Sequence, residues 1–253
     1  MDFGLTGRIA FVTGAAGGIG RAIAELLVAE GAKVYLADLD ERAAIAAAGA
    51  LDPAGRAAVG IGLDVGDGLA VQRAIDAIVS RDSKLDIAIN NAGILRTGSL
   101  EDSTLDDWNA LSRINVAGVY SCCKAAAGAM SKQHHGRIVN LGSVSAFKGG
   151  GSVGGSLYGA SKAAVHALTK GFAREYGPLG INVNAIAPAV TETPMTRALF
   201  EAEGARERIL ATIPLRRLSQ LPEIASLAVF LASDLAAYVN GTIVTIDGGL
   251  MAA

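Results

Sequence analysis

The stretch Arg8-Ile-Ala-Phe-Val-Thr13-Gly14-Ala-Ala-Gly-Gly18-Ile-Gly20-Arg-Ala-Ile-Ala-Glu-Leu-Leu-Val-Ala-Glu30-Gly31-Ala-Lys33-Val-Tyr-Leu-Ala-Asp38 decides the fold. Arg8 to Thr13 is a short apolar run, the pattern of a buried strand. Residues 21–30 are good helix formers, and Gly31 is a stop signal. Lys33 to Asp38 is a second strand. Strand, glycine-rich turn, helix and strand within about 30 residues make a βαβ unit.

Working outward, the alternation continues. Strands are expected at 57–63, 85–89, 136–141, 181–186 (ended by Pro188) and 242–246. Helices are expected from Asp67 to Val79, from a cap at Ser103 or Thr104 to about Lys132 with a break, and from Tyr158 to Tyr176. A looser helical stretch covers about 195–212, and a further helix about 222–232. Seven strands alternating with helices predict an α/β, Rossmann-type doubly wound fold, a parallel sheet with helices on both faces. No linker of domain-boundary character interrupts it, so residues 1–253 read as a single domain. The run Lys148-Gly-Gly-Gly-Ser-Val-Gly-Gly-Ser156 reads as a mobile loop, because periodic segments continue on both sides.

Composition narrows the function. With 51% apolar and 18% charged residues the chain is globular. A net charge of −2 argues against nucleic acid or an anionic membrane as the main partner. No apolar run is long enough for a membrane span, and the N-terminus reads as lacking a secretory signal. Cys122 and Cys123 are adjacent, a poor geometry for an ordinary disulfide, so a reducing cytoplasm is expected. No Cys/His/Asp cluster has metal-ligand spacing, and a metal is not indicated.

The chemistry is carried by two features. Gly14, Gly18 and Gly20 follow a strand and open a helix, which lets a pyrophosphate approach the helix N-terminus. The spacing departs from G-x-G-x-x-G, since Ala16 takes the middle glycine's place. Asp38 closes the second strand, where an acid binds ribose hydroxyls and repels a 2′-phosphate, favouring NAD over NADP. Its alternative role is to cap the next helix. The second feature is Tyr158-Gly-Ala-Ser-Lys162. Four residues apart, the two side chains share a helix face. A free phenol has a pKa of about 10, and a nearby ammonium favours the phenolate. Tyr158 is thus a candidate acid/base with Lys162 as its tuner, although the same spacing occurs on many solvated helices.

In these motifs the sequence resembles a classical short-chain dehydrogenase/reductase over nearly its whole length. The resemblance rests on Thr13-Gly14 through Gly20, Asn90-Asn91-Ala92-Gly93, Asn115 within Arg113-Ile-Asn-Val, Ser143 at a strand end, Tyr158 to Lys162, and Asp247-Gly-Gly249 in the tail. It implies that Tyr158 exchanges a proton with the substrate oxygen while hydride passes between substrate carbon and nicotinamide. Lys162 would bind the nicotinamide ribose and lower the tyrosine pKa, Ser143 would orient the substrate oxygen, and Asn115 would hold a relay water. It also implies cofactor contacts from Gly14, Gly18, Ile19 and Gly20 at the turn, from Asp38, Asp64 and Val65 at the adenosine, from Asn90, Asn91, Ala92 and Gly93 alongside, and from Pro188, Thr191 and Thr193 by the carboxamide. Taken singly, Asn115 also reads as satisfying backbone where the long helix breaks, and Ser143 as a cap.

Two departures from the family stand out. Pro188-Ala189 replaces the usual Pro-Gly, and two extra residues lie between Ser143 and Tyr158. Ser145 would restore the usual spacing, but Ile138-Val-Asn-Leu-Gly-Ser143 matches the strand motif directly. Pocket positions are expected at Ile94, Leu95, Ser145, Phe147, Val153 and in a lid over Val190 to Phe200, about 190–212 as a whole; the loop is about 144–156. Relatives that reduce 3-oxoacyl groups on acyl carrier protein often place arginines where this chain has His134 and Leu179. With Asp38, this favours an NAD-dependent enzyme of a small polyol, sugar or hydroxy compound, against a 3-oxoacyl-(acyl-carrier-protein) reductase. The fold also permits a non-catalytic dinucleotide-binding regulatory protein, which the complete Asn115, Ser143, Tyr158, Lys162 set disfavours. The family resemblance further implies a homotetramer.

Overall fold

The computed structural model describes residues 3–151 and 154–252. Its centre is a parallel sheet of β1 (Ile9–Thr13), β2 (Lys33–Asp38), β3 (Ala58–Gly62), β4 (Ile87–Asn90), β5 (Gly136–Leu141), β6 (Ile181–Pro188) and β7 (Ile243–Ile246), in the order β3-β2-β1-β4-β5-β6-β7. The strand order reverses between β1 and β4, whose pairing runs through Phe11 and Ala88. A ligand cleft belongs beyond the carboxyl ends of the strands at such a switch point.

Side-chain alternation along the strands divides the core. Ala10 and Val12 face one apolar cluster, while Ile9 and Phe11 face the other. The first cluster is covered by α1 (Gly18–Ala29), α2 (Glu41–Leu51) and α9 (Leu221–Ala232), through Ile23, Leu27, Ala48 and Val229. The second lies under α3 (Gly68–Asp82), α5 (Val119–Ser131) and α7 (Ser156–Tyr176), through Val71, Ile75, Cys123 and Val165. These layers reproduce the expected doubly wound fold.

The long helix predicted from residue 104 begins at Thr104, which forms a reciprocal capping box with Asp107. It runs as α4 (Leu105–Leu111), a π-helical stretch Ser112–Gly118, and α5. The break is therefore a local widening that carries Asn115, and π-helical turns are frequent at functional sites. The predicted helix at 195–212 divides into a 3₁₀ turn Arg197–Phe200 and α8 (Ala205–Ala211), with Gly204 between them at φ +68°. A short α6 (Ser145–Lys148) follows β5. Among the described residues no helix is long and apolar enough to cross a membrane, and no group of His, Cys, Asp or Glu side chains could hold a metal ion.

Candidate active site

Beyond the strand ends lies a cavity of about 390 Å³ that runs from Asp38 and Asp64 at one end to Ser143, Tyr158 and Lys162 at the other. Gly14 (φ +63°) and Gly18 (φ +56°) shape the turn beneath it. A Cβ at Gly14 would meet the Ala92 backbone at 2.9 Å, so only glycine fits. Gly17 caps α1 without a side-chain hydrogen bond, and no acid stands in the first turn. The helix N–H groups and dipole are thus open to an anion, and the cradle fits a dinucleotide pyrophosphate.

Asp38 does not cap α2; the cap is Asp40, whose carboxylate accepts from Ala43 N. Instead its oxygens accept from Ala16 N at 3.0 Å and Asp40 N at 3.2 Å, fixing the carboxylate at the cavity edge. Asp64 accepts from Arg113 at 2.9 Å, and that guanidinium holds its carboxyl below the usual range. Leu39, Leu63, Val65 and Ile114 give this end apolar flanks.

At the other end Tyr158 and Lys162 emerge from the first turns of α7, both buried. The Lys162 ammonium donates to the Leu141 carbonyl at 2.7 Å and stands 5.8 Å from the Tyr158 ring centroid. Burial dominates the electrostatics of this pair. Burial pushes the Tyr158 pKa up to about 12, opposed by the hydrogen bond with Ser143, and burial brings Lys162 down to about 8. Desolvation disfavours charge on both groups and outweighs their proximity.

Of the predicted site residues, Gly14, Gly18, Ile19, Asp38, Asp64, Val65, Asn91, Ala92, Gly93, Ser143, Tyr158, Lys162, Pro188, Thr191 and Thr193 all line the cavity. Four do not. Gly20 packs against the Gly14 carbonyl and Asn91, permitting close approach of α1. Asn90 points into the core, donating to Asn140 at 2.7 Å. Ser145 is buried, and its backbone N–H donates to Ser143 Oγ at 3.1 Å, which orients the serine it was considered to replace. Asn115 is fully buried behind the cavity. Its side chain exchanges hydrogen bonds with the Ile94 backbone (2.8 and 2.9 Å) and donates to Ser161 Oγ at 3.1 Å. Ser161 in turn donates to the Tyr158 carbonyl at 2.7 Å. Asn115 thus ties the segment after β4 to α7, beside Gly93 and Lys162.

Among the pocket expectations, Ile94 lines the cavity, as do Thr191 and Thr193 to Thr196 of the lid, whereas Leu95 and Phe147 do not. Val153 lies outside the described residues. Val190 is buried with Ile209, Ile213 and Leu218 in a small apolar cluster that anchors the lid. The sequence reading missed Gly154 (φ +76°), whose backbone lies on the Tyr158 ring, and His166, two turns beyond Tyr158 on α7. The His166 Nε2 is buried with no hydrogen-bond partner. The glycine run signalled the first; nothing in the sequence signalled the second.

A doubly wound sheet with a dinucleotide cradle and a Ser-Tyr-Lys group at the same cleft defines a nicotinamide-dependent oxidoreductase. The chain belongs to the short-chain dehydrogenase/reductase family. Residues 14–251 match the family described as Enoyl-(Acyl carrier protein) reductase. The chain is 41% identical to the 3-oxoacyl-(acyl-carrier-protein) reductase FabG of Escherichia coli (strain K12), over 96% of this chain and 97% of that protein. It is 37% identical to the FabG of Thermotoga maritima, over 98% and 99% of the two chains. Among solved structures, a gluconate 5-dehydrogenase from Burkholderia cenocepacia J2315 in complex with NADP and tartrate superposes with a TM-score of 0.94 at 36% identity, over 100% of this chain and 98% of that one. The protein is accordingly an oxidoreductase acting on CH–OH groups with a nicotinamide cofactor.

Proposed function

We propose that this enzyme interconverts a secondary alcohol and a ketone with NAD as its preferred cofactor, using Tyr158 as general acid/base. The observation that carries the reading is the placement of Ser143, Tyr158 and Lys162 on one wall of a cavity whose far end presents the Asp38 carboxylate. Gly14, Gly18 and the α1 N-terminus would hold the pyrophosphate, Asp38 the adenosine ribose, and Asp64 with its apolar neighbours the adenine. A bound nicotinamide would supply the two electrons as one hydride to the carbonyl carbon, or accept one in the reverse direction. Ser143 orients the carbonyl oxygen, and Tyr158 gives that oxygen its phenolic proton, so ketone, hydride and proton balance to alcohol. Lys162 lies behind the phenol to steady the phenolate. Asn115 fixes the Ile94 backbone and α7 and so keeps the relay geometry constant.

NAD is preferred because a carboxylate at Asp38 repels a 2′-phosphate, and none of the described cavity-lining residues beside it is basic. The gluconate 5-dehydrogenase with NADP makes this the point to test. A second reading, reduction of a 3-oxoacyl group on acyl carrier protein, is favoured by the FabG relatives. We infer further that the chain is a single domain that works in the cytoplasm as a homotetramer. Leu105, Trp108 and Tyr120, exposed on α4 and α5, would be covered by a second copy, and light scattering that finds a monomer at micromolar concentration would remove this assembly. The central test is Tyr158→Phe. Turnover should fall about 100- to 10,000-fold with NADH binding retained; undiminished turnover would sink the tyrosine mechanism.

A further inference from the structure

We infer that the substrate is uncharged and predominantly apolar beside the reacting carbon, in contrast to the polyol, sugar or hydroxy compound that the sequence suggested. The inference rests on the hydride-transfer reading above and concerns what surrounds Tyr158. Among the described residues that line the cavity, the charged side chains are Asp38 and Asp64 at the adenosine end, and Lys162. Lys162 is engaged by the Leu141 carbonyl and lies behind the phenol. The same cavity is also lined by the apolar residues Ile94, Ala189, Pro194 and Met195, of which Met195 is 47% exposed, and we assign them to the wall beside Ser143 and Tyr158.

The polar side chains described on the lid beside these residues are paired. Thr191 and Ser219 share a hydrogen bond of 2.5 Å. Thr196 Oγ1 donates to the Thr191 carbonyl at 2.6 Å and lies 3.1 Å from Thr193 Oγ1. Glu192 pairs with Arg206 at 2.9 Å. The nearby cation Arg96 is turned to Asp107 at 2.9 Å, and Lys148 is exposed on α6 outside the lining. Among the described lining residues at this end, a sugar hydroxyl or carboxylate that gives up its water would find Ser143 and Tyr158 as its partners, and the reacting oxygen occupies both. A buried polar group without a partner is strongly disfavoured, and a buried lone charge far more so. An aliphatic, cyclic or aryl ketone, or the acyl end of a 3-oxoacyl thioester, would meet complementary surface.

The test compares kcat/KM with NADH for three groups of substrate. These are cyclohexanone and acetophenone; ethyl 3-oxobutanoate and the N-acetylcysteamine thioester of 3-oxobutanoate; and fructose and 5-ketogluconate. The first or second group should exceed the third by at least about 100-fold. A preference for fructose or 5-ketogluconate that still requires Tyr158 overturns the apolar assignment and leaves hydride transfer standing; turnover of none of them overturns both. Binding gives a second readout. In Tyr158→Phe, 1-phenylethanol should perturb the fluorescence of bound NADH saturably and sorbitol should not; the reverse order overturns the assignment. Met195→Arg supplies the missing cation and should narrow the ratio of acetophenone to 5-ketogluconate at least tenfold. An unchanged ratio refutes the placement of this wall at the reacting end.

Discussion

The loop that precedes α7 makes a sharp prediction through Gly154. A Cβ built there would lie 2.5, 2.7 and 2.8 Å from Cδ1, Cγ and Cβ of Tyr158. Carbon atoms prefer about 3.5–4.0 Å, so Gly154→Ala requires the ring or the loop to retreat by about 1 Å. The loop resists: φ at Gly154 is +76°, which an L-residue adopts at a cost of about 1–2 kcal/mol. The neighbouring Gly155 is held by a hydrogen bond from its N–H to the Arg96 carbonyl at 3.0 Å. The ring resists too, since Tyr158 is 8% exposed and bonded to Ser143. A displacement of 1 Å at a reacting group costs about 100-fold in rate. Steady-state kinetics with NADH and the best ketone should therefore show kcat reduced about 100-fold. The NADH dissociation constant, read by fluorescence, should stay within about threefold, because the phosphate cradle is remote. Gly171→Ala is the matched control. It lies within α7 with no atom within 4 Å of its would-be Cβ, so it should leave kcat unchanged and stabilise the helix by about 0.5–1 kcal/mol. A Gly154→Ala enzyme with kcat within twofold of the parent refutes the claim that this backbone positions the phenol.

Asp38→Asn keeps an acceptor for Ala16 N but removes the charge. The ratio of kcat/KM for NADH over NADPH should fall at least tenfold, about 1.4 kcal/mol; an unmoved ratio means that Asp38 does not read the ribose. Lys162→Met should abolish turnover yet raise the thermal midpoint near pH 7. With its folded pKa lowered by burial to about 8, below the ordinary 10.5, Lys162 burdens the fold by up to about 3 kcal/mol below pH 8. That burden lifts as pH rises towards 10.5, so the gain in Tm should shrink over the same range. Burial, with the charges of Lys162 and Lys170, brings His166 down from 6.5 to about 4. The unfolded chain therefore takes up a proton that the native state refuses, and stability falls as pH drops from 6.5 towards 4. By pH 5 the loss is about 2 kcal/mol. His166→Leu should remove it, leaving Tm at pH 5 several degrees above the parent's when the two are matched at pH 7.

The doubly wound fold was legible because a parallel sheet buried on both faces writes its strands as short apolar runs, each followed by a helix. Boundaries depended on groups whose roles are set by geometry. Asp38 reads on sequence grounds as a possible cap of the next helix, but the backbone gives that place to Asp40. The lid read as one loose helix because its residues suit a helix singly; Gly204 in the left-handed region divides it. The pKa displacements of Tyr158 and Lys162 could not be read from a four-residue spacing, because they follow from burial by β5, α7 and the cavity wall.

The same limit explains which motif residues reach the cavity. Asn90 and Asn91 are adjacent at the end of β4, where successive side chains point to opposite faces. Asn91 therefore lines the cleft and donates to the Thr13 and Gly14 carbonyls at 3.0 and 2.9 Å, while Asn90 enters the core to meet Asn140 and Cys123. Gly20 faces the strand that α1 packs on, so its lack of a side chain sets how closely α1 sits over β1 and lets the Gly14 turn approach a phosphate. Asn115 acts one step further back, through Ile94 and Ser161. A recurring motif thus joins groups that meet the reactants to groups that fix where the first set stands. Substitution of either kind lowers activity, but only the first kind should change the pH profile or cofactor choice. The division is visible in strand phase and hydrogen-bond partners, and that is what a sequence pattern omits.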